Sequence, residues 1–300
     1  MKKFLCVLLS LSLAFALPLT TSAVIAGEDT VTKSLSIISK DMETGEVTDF
    51  IYTYREQDAK GKITYGWSPT IGTVTADVSV PLVDGVVGND DRVKVSDTEA
   101  FPHSAVCYIE SKINGNTTLG TAFMIGNNIA VTAGHCVYKD GYLASEVKVW
   151  PGKDGFAVWN NPFGTAKSIS VAAHDYANSG ASESYDWAVI ILKEDIGDEC
   201  GWFGIASDTS DMTSRDMTCS GYPGEHRYYQ YTQTGRVPAM DSYEFYHDFD
   251  ITGGQSGSPF YNSQNVVYGI ATRSVYNSVN AGCLITPAMY SFMVDCINIY

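Results

Sequence analysis

Two short stretches of the chain carry side chains suited to acyl chemistry. Val131-Thr132-Ala133-Gly134-His135-Cys136 sets a histidine directly after an apolar run, and Gly253-Gly254-Gln255-Ser256-Gly257-Ser258-Pro259 sets a serine in a glycine-dense turn. A serine hydroxyl is protonated and weakly nucleophilic at neutral pH, so attack on a carbonyl needs a base within hydrogen-bond reach. His135 is the candidate base and Ser256 the candidate nucleophile. Attack also creates an oxyanion that needs two aligned donors. Glycines around Ser256 let the backbone turn tightly enough for the N–H groups of Gly254 and Ser256 to converge on one point. The remaining requirement is a buried carboxylate that fixes the histidine tautomer. Asp186 meets it, standing just before the apolar run Trp187-Ala188-Val189-Ile190-Ile191-Leu192.

Each fragment alone is weak, since histidines beside cysteines, glycine-rich turns and aspartates at strand ends are common structural features. Their conjunction in the order His, Asp, Ser is more specific. The competing acyl-transfer template, the G-x-S-x-G elbow between a strand and a helix, requires a glycine where Ser258 stands and the order Ser, Asp, His.

Such groups need a frame, and the sequence predicts one of short strands. Apolar or alternating runs recur at Ala105 to Ile109, Ala122 to Ile125, Ile129 to Thr132, Glu146 to Trp150, Trp187 to Leu192, Met217 to Gly221 and Val266 to Ala271. Turn clusters at Asn114-Gly115-Asn116, Gly126-Asn127-Asn128, Lys153-Asp154-Gly155 and Pro223-Gly224 separate them. The class expected is all-β and antiparallel, a sandwich or barrels. One segment differs: Pro287 to Ile299 reads as a C-terminal helix with proline in its first turn.

The chain has 300 residues, 45% of them hydrophobic, enough for one large domain or two modest ones. Met1-Lys2-Lys3, the apolar stretch Phe4 to Leu19 and the small residues Thr21-Ser22-Ala23 have the three regions of a secretory signal. We assign residues 1–26 to the signal, with cleavage after Ala23 or Ala26, residues 27–84 to a pro-segment, and 85–300 to the catalytic unit. The divide between an N-terminal and a C-terminal half falls near residue 195. Export suits disulfides, and of seven cysteines six remain beyond the signal: Cys107, Cys136, Cys200, Cys219, Cys283 and Cys296. None has the CxxC spacing of a zinc site, and His103, His174, His226 and His247 lie outside any HExxH pattern, so neither a metal nor a cofactor is expected. The net charge of −15 opposes binding to nucleic acid or to anionic membranes. The expectation is a secreted monomer acting on proteins or peptides.

Taken together, TAGHC, DWAVI, Ser220-Gly221-Tyr222-Pro223-Gly224 and GGQSGSP resemble the bacterial glutamyl endopeptidases, a branch of the chymotrypsin-like serine proteases. The resemblance runs from Gly88-Asn89-Asp90-Asp91-Arg92 through Leu284-Ile285-Thr286-Pro287. It implies two six-stranded antiparallel barrels with the site in the cleft between them. It also implies a Cys107–Cys136 bridge beside the histidine, with Cys200–Cys219 and Cys283–Cys296 completing the set. Members of the family cut after acidic residues, using a histidine on the strand that walls the specificity pocket, hydroxyl side chains and the mature N-terminal amine. Here that strand, Tyr268-Gly269-Ile270-Ala271-Thr272-Arg273-Ser274, has no histidine; Arg273 takes its place, and Ile251 stands where a threonine is expected. Arg273, with Thr272 beside it, would favour an acidic side chain. Asp250, six residues before the nucleophile, would instead attract a basic one. The two could also neutralise each other or serve only structure. If Pro81-Leu82-Val83-Asp84 ends the pro-segment, the mature chain starts at Gly85, after an acidic residue.

Overall fold

The computed structural model describes residues 32–69, 76–77, 85–174, 183–210, 212–275 and 279–300; the signal assigned to 1–26 and the junction at 81–84 lie outside them. Six antiparallel strands close into a barrel. Going round it, they are Glu146–Pro151, Val106–Ile113, Asn116–Met124, Ile129–Thr132, Ala188–Leu192 and Ala166–His174. The pairing of Lys148 with Lys167 and Val149 with Ala166 returns the last strand to the first. Strand Ala188–Leu192 is buried at every position, as its unbroken apolar run requires, whereas Glu146–Pro151 alternates.

A second, curled sheet follows. Its strands run in the order Glu244–His247, Val279–Leu284, Val266–Val275, Pro259–Tyr261, Asp216–Gly221 and Tyr231–Arg236. Val93–Val95 adds to it beside Tyr231–Arg236, so the chain just after Gly85 crosses to the second sheet before building the first barrel. Helix Pro287–Ile299 begins where the sequence predicts, and Thr286 caps it by accepting from Met289 N at 3.3 Å. Its face of Ala288, Met289, Phe292 and Met293 joins the core of the first barrel, which ties the C-terminal end of the chain back to the N-terminal half.

The stretch expected to be a pro-segment makes no core of its own. Thr32–Asp41 and Val47–Arg55 form a hairpin whose first strand extends the barrel sheet, pairing Ile37 with His174 and Asp41 with Ser170. Leu35, Ile37, Ile38 and Tyr52 thereby enter the barrel's hydrophobic cluster. Full burial of side chains of this size contributes about 1.5–3 kcal/mol each. Tyr52 also packs edge-on against Phe292 at 5.2 Å and donates to Asp295 Oδ2 at 2.6 Å.

The disulfides expected from the sequence are not formed in the structure: among the described residues the six cysteines are buried and not joined to one another. Cys107 Sγ donates to Ala105 O and Cys136 Sγ to Ser256 O, each at 3.6 Å. Cys200 packs in the first-barrel cluster, whereas Cys219 belongs to that of the second sheet. Cys283 Sγ points to Asp186 O at 3.8 Å, while Cys296 sits in the first-barrel cluster.

Candidate active site

His135, Asp186 and Ser256 come from three different elements. His135 lies in the single turn Gly134–Cys136 that follows strand Ile129–Thr132. Asp186 precedes strand Ala188–Leu192, which pairs directly with Ile129–Thr132. Adjacent strands of one barrel therefore bring these two side chains together. His135 Nδ1 lies 2.6 Å from Asp186 Oδ2, and the His135 backbone N donates to Asp186 Oδ1 at 2.7 Å. The carboxylate thus holds both the ring and the main chain of the same residue. Glycine at residue 134 suits this close approach, because a Cβ there would sit 3.0 Å from Asp186 Oδ1 and 3.1 Å from Trp187 N, forcing the neighbours to give by a few tenths of an ångström. The Asp186 side chain is 11% exposed and that of His135 36%, so the acid is shielded while the imidazole keeps an open side.

Burial disfavours the imidazolium of His135. The neighbouring Cys136 sulfur and the Asp186 carboxylate, by its charge and its hydrogen bond, outweigh that and hold its pKa well above the ordinary value. With Nδ1–H directed at Asp186, the tautomer leaves Nε2 as the basic nitrogen.

Ser256 is delivered from the second sheet, in the loop before strand Pro259–Tyr261. Its Oγ donates to Thr272 O at 3.4 Å, and among the described residues it makes no hydrogen bond with His135. Such contacts commonly tighten only when substrate binds. Gly254, at φ +99°, makes the tight turn that a side chain would resist. The N–H groups of Gln255, Gly257 and Ser258 donate to Thr252 O, Ala271 O and Gln255 O, whereas those of Gly254 and Ser256 have no acceptor among the described residues. Thr121 steadies the turn from the first barrel, its N donating to Ser256 O at 2.9 Å and its Oγ1 to Gly254 O at 2.9 Å.

The positions read as substrate-binding are already engaged inside the protein. Asp250 is 1% exposed, and its carboxylate accepts from Val87 N and Asp91 N, both at 2.7 Å. Burial raises its pKa against these two bonds. Arg273 Nη1 donates to Glu244 Oε1 at 2.5 Å, so Arg273 and Asp250 have separate partners. The Thr272 hydroxyl turns into the sheet and donates to Ala281 O at 3.2 Å, leaving its carbonyl toward Ser256.

Sequence reasoning gave no role to a second polar centre behind the serine. Arg92, 1% exposed, donates to Asp90, Thr252, Gln255 and Glu225 at 2.6–2.9 Å. Asp90-Asp91-Arg92 and Pro223-Gly224-Glu225 were visible as motifs, but 130 residues of intervening chain hide their meeting. No group of three or more His, Cys, Asp or Glu side chains placed to hold a metal occurs among the described residues.

The family model described as Trypsin matches residues 92–291. A glutamyl endopeptidase of Bacillus licheniformis is 32% identical over 229 residues, 72% of this chain and 70% of that protein. A Bacillus subtilis protein named extracellular metalloprotease is 31% identical over 185 residues, 59% of this chain and 57% of its own length. Among solved structures, a Glu endopeptidase in complex with MPD aligns with a TM-score of 0.64 at 28% identity, covering 71% of this chain and 99% of that one.

Proposed function

Because the chain belongs to the trypsin family of serine proteases, we propose that it is an exported endopeptidase in which Ser256, His135 and Asp186 act as nucleophile, base and orienting acid. The observation that carries this reading is the His135–Asp186 pair at 2.6 Å. It fixes the tautomer that a base at Nε2 requires. Ser256 Oγ leaves Thr272 O, passes its proton to His135 Nε2 and attacks the scissile carbonyl. The N–H groups of Gly254 and Ser256 hold the oxyanion, and removing one such donor costs about 2.7–4 kcal/mol of barrier lowering. His135 then protonates the leaving amine, and water releases the acyl group by the reverse sequence.

Residues 1–26 act as a secretory signal and 27–84 as a pro-segment in this reading, and processing after Asp84 starts the mature chain at Gly85. We read the cleavage preference as acidic. Two backbone amides already occupy Asp250, which argues against its drawing a basic side chain into the site. Gly85 abuts Ile251 O and Ser274 Oγ, and its carbonyl accepts from Asn280 Nδ2 at 2.8 Å. A new amine at Gly85 would add positive charge beside Ser274.

The test is cleavage-site profiling of the purified mature enzyme on a peptide library, with Ser256→Ala in parallel. The expected result is cutting after Glu or Asp by wild type, and neither hydrolysis nor phosphonate labelling by the variant. Equal labelling of both proteins would sink the triad, and cutting after Lys or Arg would overturn the acidic preference.

A further inference from the structure

We propose that Arg92 is a positioning residue for the oxyanion turn: an internal cation that clamps residues 252–255 from behind and so holds the Gly254 and Ser256 donors in register. The proposal rests on Ser256 being the nucleophile.

The turn from Thr252 to Ser256 contains two consecutive glycines, and a Cβ at Gly253 would meet nothing within 4 Å. Glycines give the chain the conformation it needs, but they offer no side chains to pin it. Pinning falls to the residues on either side. The turn closes on itself where Thr252 N donates to Gln255 Oε1 at 3.0 Å and Gln255 N donates to Thr252 O at 3.0 Å. Arg92 Nη1 binds both ends of this closure, Thr252 Oγ1 at 2.9 Å and Gln255 Oε1 at 2.6 Å. The other guanidinium edge reaches Glu225 Oε1 at 2.7 Å, and Thr252 Oγ1 donates to the same carboxylate at 2.7 and 2.9 Å. Glu225 in turn follows Gly224, whose N–H holds Gly253 O at 2.6 Å. One planar cation therefore reaches the turn by two routes, through its side chains and through the short helical turn Gly224–His226 that grips its backbone.

The geometry suits arginine alone. Asp90 takes Nε and Nη2 as a two-pronged pair at 2.9 and 2.7 Å, leaving Nη1 aimed at the turn. Lysine has no such fork. Arg92 also reaches this place by a defined route. Asp250, within the loop leading to the same turn, accepts from Val87 N and Asp91 N, and Ile251 N donates to Gly85 O at 3.2 Å. Residues 85–92 are thus laid along the loop, with Arg92 as the innermost contact, so the register of that segment is coupled to the shape of the turn.

The experiment compares the processed wild-type enzyme with Arg92→Met, Gln255→Met and the double variant, on the peptide substrate that profiling selects. Phosphonate labelling of wild type first checks the nucleophile independently; no labelling there would refute the underlying reading, whatever Arg92 does. Misplacing reacting groups by about 1 Å costs on the order of a hundredfold in rate. Each single variant is expected to lose about ten- to a hundredfold in kcat with KM within about threefold. Binding of a peptide boronate, which needs the oxyanion donors, should weaken in parallel. The double variant should lose no more than the worse single one, because both substitutions break one clamp. If Arg92→Met does not fold, Gln255→Met decides alone. A folded variant that keeps kcat within about twofold, one that raises KM at unchanged kcat, or additive losses in the double variant would overturn the proposal.

Discussion

His247 offers a test of the second sheet that is independent of catalysis. Its ring is 1% exposed and lies between Phe260, Phe245 and Phe249, at 4.7, 5.4 and 5.6 Å between centroids. Neither ring nitrogen has a hydrogen-bond partner among the described residues. Burial drives its pKa down to about 3, opposed in smaller measure by the Phe249 backbone. A histidine depressed in this way binds its proton first in the unfolded chain, whose histidines titrate near 6.5. Its stabilising contribution is therefore complete above about pH 6.5 and is lost as pH falls toward the folded pKa.

The magnitude follows from linkage. Each pH unit inside that window costs about 1.4 kcal/mol, so this one group removes on the order of 1 kcal/mol at pH 5.5 and on the order of 3 kcal/mol at pH 4.5. His247→Leu, of similar volume, abolishes the loss. It also removes buried ring nitrogens that lack a well-formed hydrogen bond, a cost on the order of 1–3 kcal/mol, against the ring contacts it gives up. The assay is urea denaturation in a Ser256→Ala background, which prevents autolysis, at pH 7.5, 5.5 and 4.5. The stability gap between the variant and its parent should widen by those amounts as pH falls, whatever its value at pH 7.5. A gap that stays constant with pH would refute the reasoning, because the imidazole would then not be held neutral inside the sheet.

Asp186→Asn should lower kcat by about 10⁴-fold by releasing the tautomer, and the acid limb of kcat/KM should move to lower pH, because the carboxylate that raises the His135 pKa is gone; a pH–rate profile checks both. Gly85→Ala places a Cβ 2.0 Å from Ile251 O at a φ of +97°, so the segment must shift; at least a tenfold loss of kcat/KM is expected in steady-state assays of the processed enzyme. Tyr52→Phe removes the donor to Asp295 and should cost the full-length Ser256→Ala protein about 1.5–3 kcal/mol in urea denaturation.

The sequence displayed those elements whose signals are local. The strand Ala188–Leu192 is an unbroken apolar run, and helix Pro287–Ile299 carries its own start signal in Thr286 and Pro287. Strands Ala166–His174, Tyr231–Arg236 and Val279–Leu284 were harder to see, because serines, threonines and glycines interrupt their alternation and long-range pairing rather than propensity holds them. Strand Thr32–Asp41 has no strong signal of its own, since it acquires its buried face from the barrel edge it joins. His135, Asp186 and Ser256 stand out as candidates in the sequence because each chemistry-bearing side chain sits in a distinctive local context, and the structure brings His135 and Asp186 into contact. Arg92 does not stand out, because a lone arginine in a polar stretch reads as a surface residue until its four partners are assembled around it.

The same limit governs the pocket. A charged residue beside a nucleophile directs specificity only if its charge is not already balanced within the fold, and a buried charge is stable only when it is so balanced. Asp250 and Arg273 stand at positions that, judged singly, point to opposite substrates. Neither answers to the other. Asp250 is held by the amides of Val87 and Asp91, and Arg273 by Glu244. The first of these arrangements depends on residues 85–92 being docked, and the same docking carries Arg92 to the turn that bears Ser256. On the proposed reading, substrate preference and oxyanion geometry share one structural support, the segment that follows Asp84, and a change in its register would alter both together.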